Sequence, residues 1–416
     1  MKSRLFKHEE LAPLWVAVFV DILGFSLVLP MLPFFARDYS ASGLVVGLLL
    51  SSNAVFSFAF GPILAHLSDR FGRKPLLVVS QLGTLAGFLI LAASDSLAAL
   101  FAARIVDGVF GGQFPIAKAT IGDVIPPEER PKQMTNIGVA FTLASLAGPS
   151  IGGLLAKFGT AGPGLAAAAL SAVNVAFTSA KFRETLPLKT GLERPWHATF
   201  KAAPTHSVLS DGRVRYLLLL YAALAVQAAT FQTSFSLFAI ARFNAREVDV
   251  GLAYTAMGVF NVFFRGVVFG RMRNRLGDVK TSQSGLFGFV VAFATIGAWT
   301  ELWQLAFVVV LVAFSGACSR GIIMGFASAV VDHRLQGKIN GLTSAMDSLS
   351  QIVGPVVGNA LVGAAWPHAY ELLLALFAAS TFSLSLGLPR LGVGRAPAGK
   401  GSTESNPPHP NANPKD

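Results

Sequence analysis

Charged side chains are scarce in this sequence. They make up 13% of its 416 residues, while 53% are hydrophobic. A soluble domain carries about a quarter charged residues. A soluble chain this apolar could not cover its surface with polar groups, so the unwetted surface must face lipid. Cysteine is nearly absent. Cys318 is the single one and lies inside an apolar run, which excludes an intramolecular disulfide and leaves the redox compartment unread. The seven histidines show no metal-ligand spacing, so no metal site is expected. A phosphate-binding loop is missing too. The run Gly394 to Gly401 comes near one, but no Ser or Thr stands directly after Lys400, and it sits in a Pro-rich tail with no strand before it. Neither an ATPase nor a nucleophile–base constellation is readable, so the expectation is no enzyme and no cofactor.

Glycine and phenylalanine are abundant, at 41 and 34. Glycine is frequent in membrane helices because it lets backbones approach closely. The net charge of +11 could suggest nucleic acid, but the basic residues sit in short clusters between apolar runs. That is the pattern of membrane orientation, and no nucleic-acid partner is expected. The apolar stretch after the basic N-terminus is too long for a cleavable signal and is expected to stay.

A span needs roughly 20 mostly apolar residues to cross about 30 Å of hydrocarbon. That rule predicts twelve helices, over 11–36, 43–66, 75–94, 97–124, 132–157, 163–182, 214–241, 249–270, 281–300, 302–331, 336–363 and 367–389. All must be helical, because lipid leaves an unpaired backbone group no partner. Twelve crossings put both termini on one side. Loops on that side hold 25 Lys and Arg, and the opposite loops hold four. The positive-inside rule therefore places both termini in the cytoplasm. The expected organisation is a tail (1–10), a six-helix bundle (11–182), a cytoplasmic linker (183–213) containing Trp196 and Phe200, a second six-helix bundle (214–389) and a disordered tail (390–416).

The two halves echo each other. Ser68-Asp69-Arg70-Phe71-Gly72-Arg73-Lys74 follows the second span, and Arg273-Asn274-Arg275-Leu276-Gly277-Asp278 follows the eighth, 205 positions later. Gly148-Pro149-Ser150-Ile151-Gly152-Gly153 lies in the fifth span, and Gly354-Pro355-Val356-Val357-Gly358-Asn359 lies in the eleventh, 206 positions later. Duplicated halves are an architecture of alternating-access transporters, with a central site at the repeat interface.

Five stretches carry a resemblance to a known family. They are Asp21-Ile22-Leu23-Gly24-Phe25 with Pro30-Met31-Leu32-Pro33, Leu67 through Pro75, Arg104-Ile105-Val106-Asp107-Gly108, Gly148 through Gly153, and Gln336-Gly337-Lys338-Ile339-Asn340-Gly341. Together they resemble the major facilitator superfamily, and within it the drug:proton antiporters, with tetracycline exporters as the nearest pattern. The resemblance covers residues 11–389. It departs at Ala65 and Ala144, where the family's motifs usually have glycine. What it implies is a monomeric multi-pass protein of a bacterial inner membrane, carrying a small molecule in exchange for protons. The rivals are uptake or facilitated diffusion of an organic anion, or lipid movement, on the same fold. From another class come a polytopic membrane enzyme and a transport-dead sensor.

The motifs have physical readings. An anion at Asp69 can face the N-terminus of a neighbouring helix, whose free N–H groups attract it. The resemblance makes that neighbour helix 11. Arg70, Arg73 and Lys74, with Gly72 between them, either tie this gating loop to carboxylates and headgroups or simply anchor the inside face. Gly148, Pro149, Gly152 and Gly153 make a kinked, small-residue surface, either for sliding against the other half or for ordinary tight packing.

Charges inside spans are the sharpest signal, since each costs about 2.5–3.5 kcal/mol at mid-membrane. Asp21 is expected to bind proton or substrate, because a carboxyl in a partly desolvated cavity can exchange protons near neutral pH. Arg104 and Asp107 are i, i+3 neighbours, and Lys118 follows on the same stripe about three turns later. Gln113 lies between them. The pair either assists proton transfer, as the resemblance implies, or neutralises itself, and Lys118 lies either in the cavity or at its mouth. Arg320 reads as a ligand contact. Arg265 and Asp347 could pair. Gln227, Thr230 and Gln232 are expected on a cavity face of helix 7. Four basic and three acidic groups within spans favour an anionic or zwitterionic substrate.

Overall fold

The computed structural model describes residues 12–126, 129–186, 209–331, 335–364, 366 and 368–391. The expected N-terminal tail, most of the linker with Trp196 and Phe200, and almost all of the C-terminal tail lie outside them. Within the described residues every regular element is helical. Nine helical stretches there are long and apolar enough to cross a membrane.

In the first half of the chain the helices are α1 (Ala12–Asp38), α2 (Gly43–Phe71), α3 (Arg73–Ala92), α4 (Leu97–Val124), α5 (Arg130–Leu155) and α6 (Ala161–Lys181). In the second half, α7 is Gly212–Phe243. The stretch Glu247–Ala298 runs on for 52 residues, but Gly277 inside it has non-helical angles. It is therefore α8 (247–276) and α9 (278–298). Then come α10 (Leu302–Ala329), α11 (Gln336–Val362) and α12 (Ala369–Leu391). The stretches expected from hydropathy are helical here, with ends shifted by a few residues.

Local chemistry explains the breaks. Pro30 and Pro33 remove backbone donors, and α1 tightens there into a 3₁₀ turn over Leu29–Met31. α4 is two pieces, Leu97–Val109 and Gln113–Val124, parted by Gly111 and Gly112. Pro115 sits in the first turn of the second piece, where its missing N–H costs nothing. α8 widens into a π turn at Phe264–Val268.

The repeat is visible in the backbone. Gly72 joins α2 to α3 with φ +101°, and Gly277 joins α8 to α9 with φ +78°. Both need a left-handed angle that glycine adopts without strain. Pro149 and Pro355 lie inside α5 and α11.

α7 packs along α11, and α1 along α5. Two seams join the halves of the chain: α2 with α11, and α5 with α8. Leu82, Val173 and Leu219, among other large apolar side chains, stay exposed, which suits a lipid-facing surface.

The seams are tight at one end only. A Cβ on Gly47 would stand 2.6 Å from the Pro355 carbonyl oxygen. One on Gly153 would stand 2.6 Å from the Glu247 carbonyl, and one on Gly251 would stand 2.5 Å from that of Pro149. Ser51 Oγ donates to the Ile352 carbonyl at 2.7 Å. Toward the end that carries Arg70, Arg73 and Lys74, the picture reverses. Gly266 and Gly270 on α8, Gly321 and Gly325 on α10, and Gly337 and Gly341 on α11 have nothing within 4 Å of a Cβ. Among the described residues, the seams are closed at one end and the glycines toward the basic end stand clear of their neighbours.

Candidate functional site

Two clusters of charge lie within the helices, one in each half. The first surrounds a cavity of about 150 Å³ lined by Asp21, Asn53, Ser57, Thr84, Asp107 and Gln113, with Phe25 and Phe88. Gln113 Nε2 donates to Asp21 Oδ1 at 2.5 Å and to Thr84 Oγ1 at 3.3 Å. Arg104 Nη1 pairs with Asp107 Oδ2 at 3.0 Å. Asn53 Nδ2 donates to the same oxygen at 2.9 Å. The Arg104 guanidinium also lies over the Phe25 ring, 5.4 Å from its centroid. Its Nε and Nη2 are buried without a hydrogen-bond partner among the described residues.

Why these residues meet follows from small side chains. A Cβ on Gly108 would come 2.7 Å from the Asn53 carbonyl, and one on Gly111 would come 2.6 Å from Ser57 Oγ. Glycine thus lets α4 lie close against α2, and the break after Val109 turns Gln113 toward α1. The cluster holds two carboxylates and one guanidinium in a roomy polar cavity. It can bind a proton or a cation without leaving Arg104 unpaired. Asp107→Asn would strand that buried guanidinium, a loss of about 3–5 kcal/mol. Thermal unfolding in detergent should show a clearly lowered melting temperature, and an unchanged one would mean Arg104 is held by something other than Asp107.

The second cluster lies on the open side. Arg320 Nη2 pairs with Asp347 Oδ1 at 2.6 Å. Tyr221 donates its hydroxyl to Asp347 at 2.9 Å and sits under the Arg320 guanidinium, 5.7 Å from ring centroid to Cζ. This corrects the expected Arg265–Asp347 pair, because Asp347 is taken by Arg320 and Tyr221. Arg265 is exposed at the π turn of α8, within electrostatic range of Arg320. Lys118 lies over the Phe114 ring at 4.4 Å and within electrostatic range of Asp347 across the cavity. The break in α4 interrupts the stripe expected to link Lys118 to Asp107, and the two serve different clusters.

Helix 7 divides its polar groups. Gln232 lines a small gap between the halves beside Pro149 and Tyr254. Gln227 does not face a cavity. It is fully buried and accepts from Thr381 Oγ1 at 3.0 Å. Thr230 is buried against Gly354 of α11.

At the basic end, Arg73 is buried and pairs with Asp69 at 2.5 Å and Asp123 at 2.7 Å. Its backbone N–H and that of Lys74 donate to the Glu184 carboxylate at 2.8 and 3.0 Å. Lys74 Nζ donates to the Ser179 carbonyl at 2.6 Å. Arg70 stacks on Phe71 at 5.5 Å. These contacts tie the loop to α4 and α6 of its own half. The Gly72 turn fits against Glu184, where a Cβ would meet the carboxylate. On α5 the small residues also divide. Gly148 and Gly152 press on Ser26 and Leu27 of α1, while Pro149 and Gly153 press on α8. Only the second pair faces the other half.

Sequence reasoning missed Asn53, Thr84, Tyr221, Asp123 and Glu184. Asn53 and Thr84 are polar residues within apolar runs, and Tyr221 is one of five tyrosines, so weak signals were present.

Comparisons with known proteins bear on the chain as a whole. A profile of the Major Facilitator Superfamily matches residues 14–265 and 217–411. The class C tetracycline resistance protein of Escherichia coli is 28% identical over 357 residues, covering 83% of this chain and 88% of the relative. Multidrug resistance protein 2 of Bacillus subtilis (strain 168) is 26% identical over 352 residues, covering 83% and 86%. Among solved structures, the human organic anion transporter TETRAN has TM-score 0.65 at 22% identity, covering 90% of this chain and 98% of that one. A bacterial homolog of the human lysosomal transporter Spinster, inward-facing and occupied, has TM-score 0.71 at 13% identity, covering 94% and 98%. These likenesses concern the fold.

Proposed function

Because the chain belongs to the major facilitator superfamily, and so is a multi-pass membrane transporter rather than an enzyme, we propose that it exports a small amphipathic organic molecule in exchange for protons, by alternating access. The observation that carries the reading is the first cluster. Asp21 sits half-buried in a polar cavity inside a hydrophobic bundle, held by Gln113, with Asp107 already neutralised by Arg104. That leaves one carboxylate without a basic partner at ion-pair distance among the described residues, which is what a proton carrier needs. The names of the relatives, tetracycline and multidrug resistance, support a drug-like cargo and an outward direction.

The reading includes a topology. Glu247–Ala298 would be about 78 Å long as one helix at 1.5 Å per residue, more than twice the hydrocarbon thickness. Counting it as two crossings parted at Gly277, and adding α5 and α11, brings the nine stretches to twelve. α11 falls short on hydropathy because it forms a seam, where small and polar residues face protein instead of lipid. Six helices in each half, 11–182 and 214–389, with both termini cytoplasmic, make the open basic end the cytoplasmic one. In the opposite state, with the basic end closed, Asp69 would face the start of α11.

The test is reconstitution. Proteoliposomes with an acidic lumen should accumulate tetracycline as protons leave, read by an entrapped pH dye, and dissipating the gradient should stop both fluxes. Uptake indifferent to the gradient would rule out proton antiport and favour facilitated diffusion.

A further inference from the structure

The two clusters carry opposite charge. The first has Asp21, Asp107 and Arg104, a formal balance of one negative. The second has Lys118, Arg265, Arg320 and Asp347, a formal balance of two positive. Among the described residues, neither Lys118 nor Arg265 has a carboxylate at ion-pair distance, and Asp347 is already engaged by Arg320 and Tyr221.

Apolar walls focus the field of such a surplus even where the cavity opens to water. A departure from regular α-helix marks the place. The π turn at Phe264–Val268 carries Arg265, and π turns occur mostly as single insertions at functional positions. Beside it lies an apolar shelf: Phe264 packs edge-on against Phe263 at 5.6 Å and Phe314 at 5.4 Å, and stacks near Phe260 at 6.3 Å. Basic groups beside exposed aromatic rings suit a molecule with an acidic head and an apolar body.

The geometry points to an oxyanion subsite formed by Arg265, Arg320 and Lys118, which takes the carboxylate, sulfonate or phosphonate group of the transported molecule. This deepens the proposed function and rests on it. Arg320 offers its guanidinium from the Tyr221 platform, Arg265 supplies the uncompensated charge from α8, and Lys118 approaches from the other half. Because Lys118 and the two arginines belong to different halves, a bound anion would bridge the cavity and draw its walls together. Asp347 competes with the ligand for Arg320.

That competition gives a test with opposite signs. Binding of naphthalene-2-sulfonate, naphthalene-2-carboxamide and naphthalen-2-ylmethylammonium to purified protein in neutral detergent is measured by calorimetry. The sulfonate should bind at least about tenfold more tightly than the other two. Arg265→Gln and Lys118→Gln should each weaken it about tenfold, while Arg265→Lys should recover part of the loss. Asp347→Asn should tighten it, which a purely structural role for Asp347 would not do. Preference for the ammonium compound, or weaker sulfonate binding in Asp347→Asn, overturns the subsite. So does displacement of the sulfonate by phosphatidylglycerol in a protein whose liposomes do not carry it, since the occupant would then be a lipid headgroup. Anion binding without gradient-driven flux would instead retire proton antiport and leave the subsite standing.

Discussion

Vesicles carrying Asp21→Asn should take up substrate down a proton gradient no faster than protein-free vesicles, yet still exchange it across the membrane when no gradient is imposed. Asn has the shape of Asp and can still accept from Gln113 through its carbonyl. The cavity and the Arg104–Asp107 pair should therefore survive, and the variant should fold. What it lacks is a group that gains and loses a proton. Exchange needs only the rocking of the halves, while gradient-driven uptake needs the proton to be carried. Gradient-driven uptake at the parent rate in Asp21→Asn would end the assignment. Loss of both activities together with a lowered melting temperature would mean that Asp21 is structural.

The second large effect concerns the closed end. Gly47→Val should shift the resting population toward the state open there, by roughly 5- to 150-fold. A Cβ at this position would stand 2.6 Å from the Pro355 carbonyl and 2.8 Å from Val356 Cα. Both are backbone atoms of the opposite half, so no side chain can swing away. Overpacking of this kind costs typically about 1–3 kcal/mol, and about 1.4 kcal/mol is a tenfold change in an equilibrium constant. The strain vanishes when the seam parts. Cys318 is the single cysteine, so Cys318→Ser provides a clean background for Gln232→Cys, a position in the gap between the halves. A membrane-impermeant maleimide applied from the closed side should label it faster in Gly47→Val. Gly148→Val is the control, because Gly148 packs on Ser26 within its own half and should cost stability without changing access. Equal labelling in both variants would mean that this seam does not gate.

Much of this was legible in the sequence because lipid is an unforgiving solvent. Apolar runs of span length became helices, and the intramembrane charges became the two clusters. The glycine at the turn after α2 and its counterpart after α8 share a left-handed φ, as the repeat implied. What stayed hidden depends on azimuth. Arg265 was the expected partner of Asp347 and Arg320 the expected ligand contact, and hydropathy does not say which way a helix is turned. α8 departs from regular α-helix at Arg265, and Arg320 makes the pair with Asp347. Gln227 looked like a cavity group but faces Thr381 of α12. The stripe drawn through α4 assumed an unbroken helix, and the Gly111-Gly112 break interrupted it. Glu184, which receives two backbone donors from the loop after α2, is 110 positions from Lys74 and carried no local signal.

The π turn in α8 has a consequence for how such a cavity changes over generations. An i→i+5 turn accommodates one residue more than a regular turn, and each residue of an α-helix advances about 100°. Deleting a single codon within 264–268 would restore a regular helix and leave both flanks near their present azimuth, because the wide turn already absorbs the extra residue, and would change only which residue of the turn, Arg265 or a neighbour, faces the cavity. A charge facing the cavity would be swapped for a different neighbour in one step, with the seam at Gly251 untouched. On the proposed subsite, cargo preference would depend on the length of this helix as much as on side-chain identity, and a one-residue deletion within the turn is the natural place to look for altered selectivity.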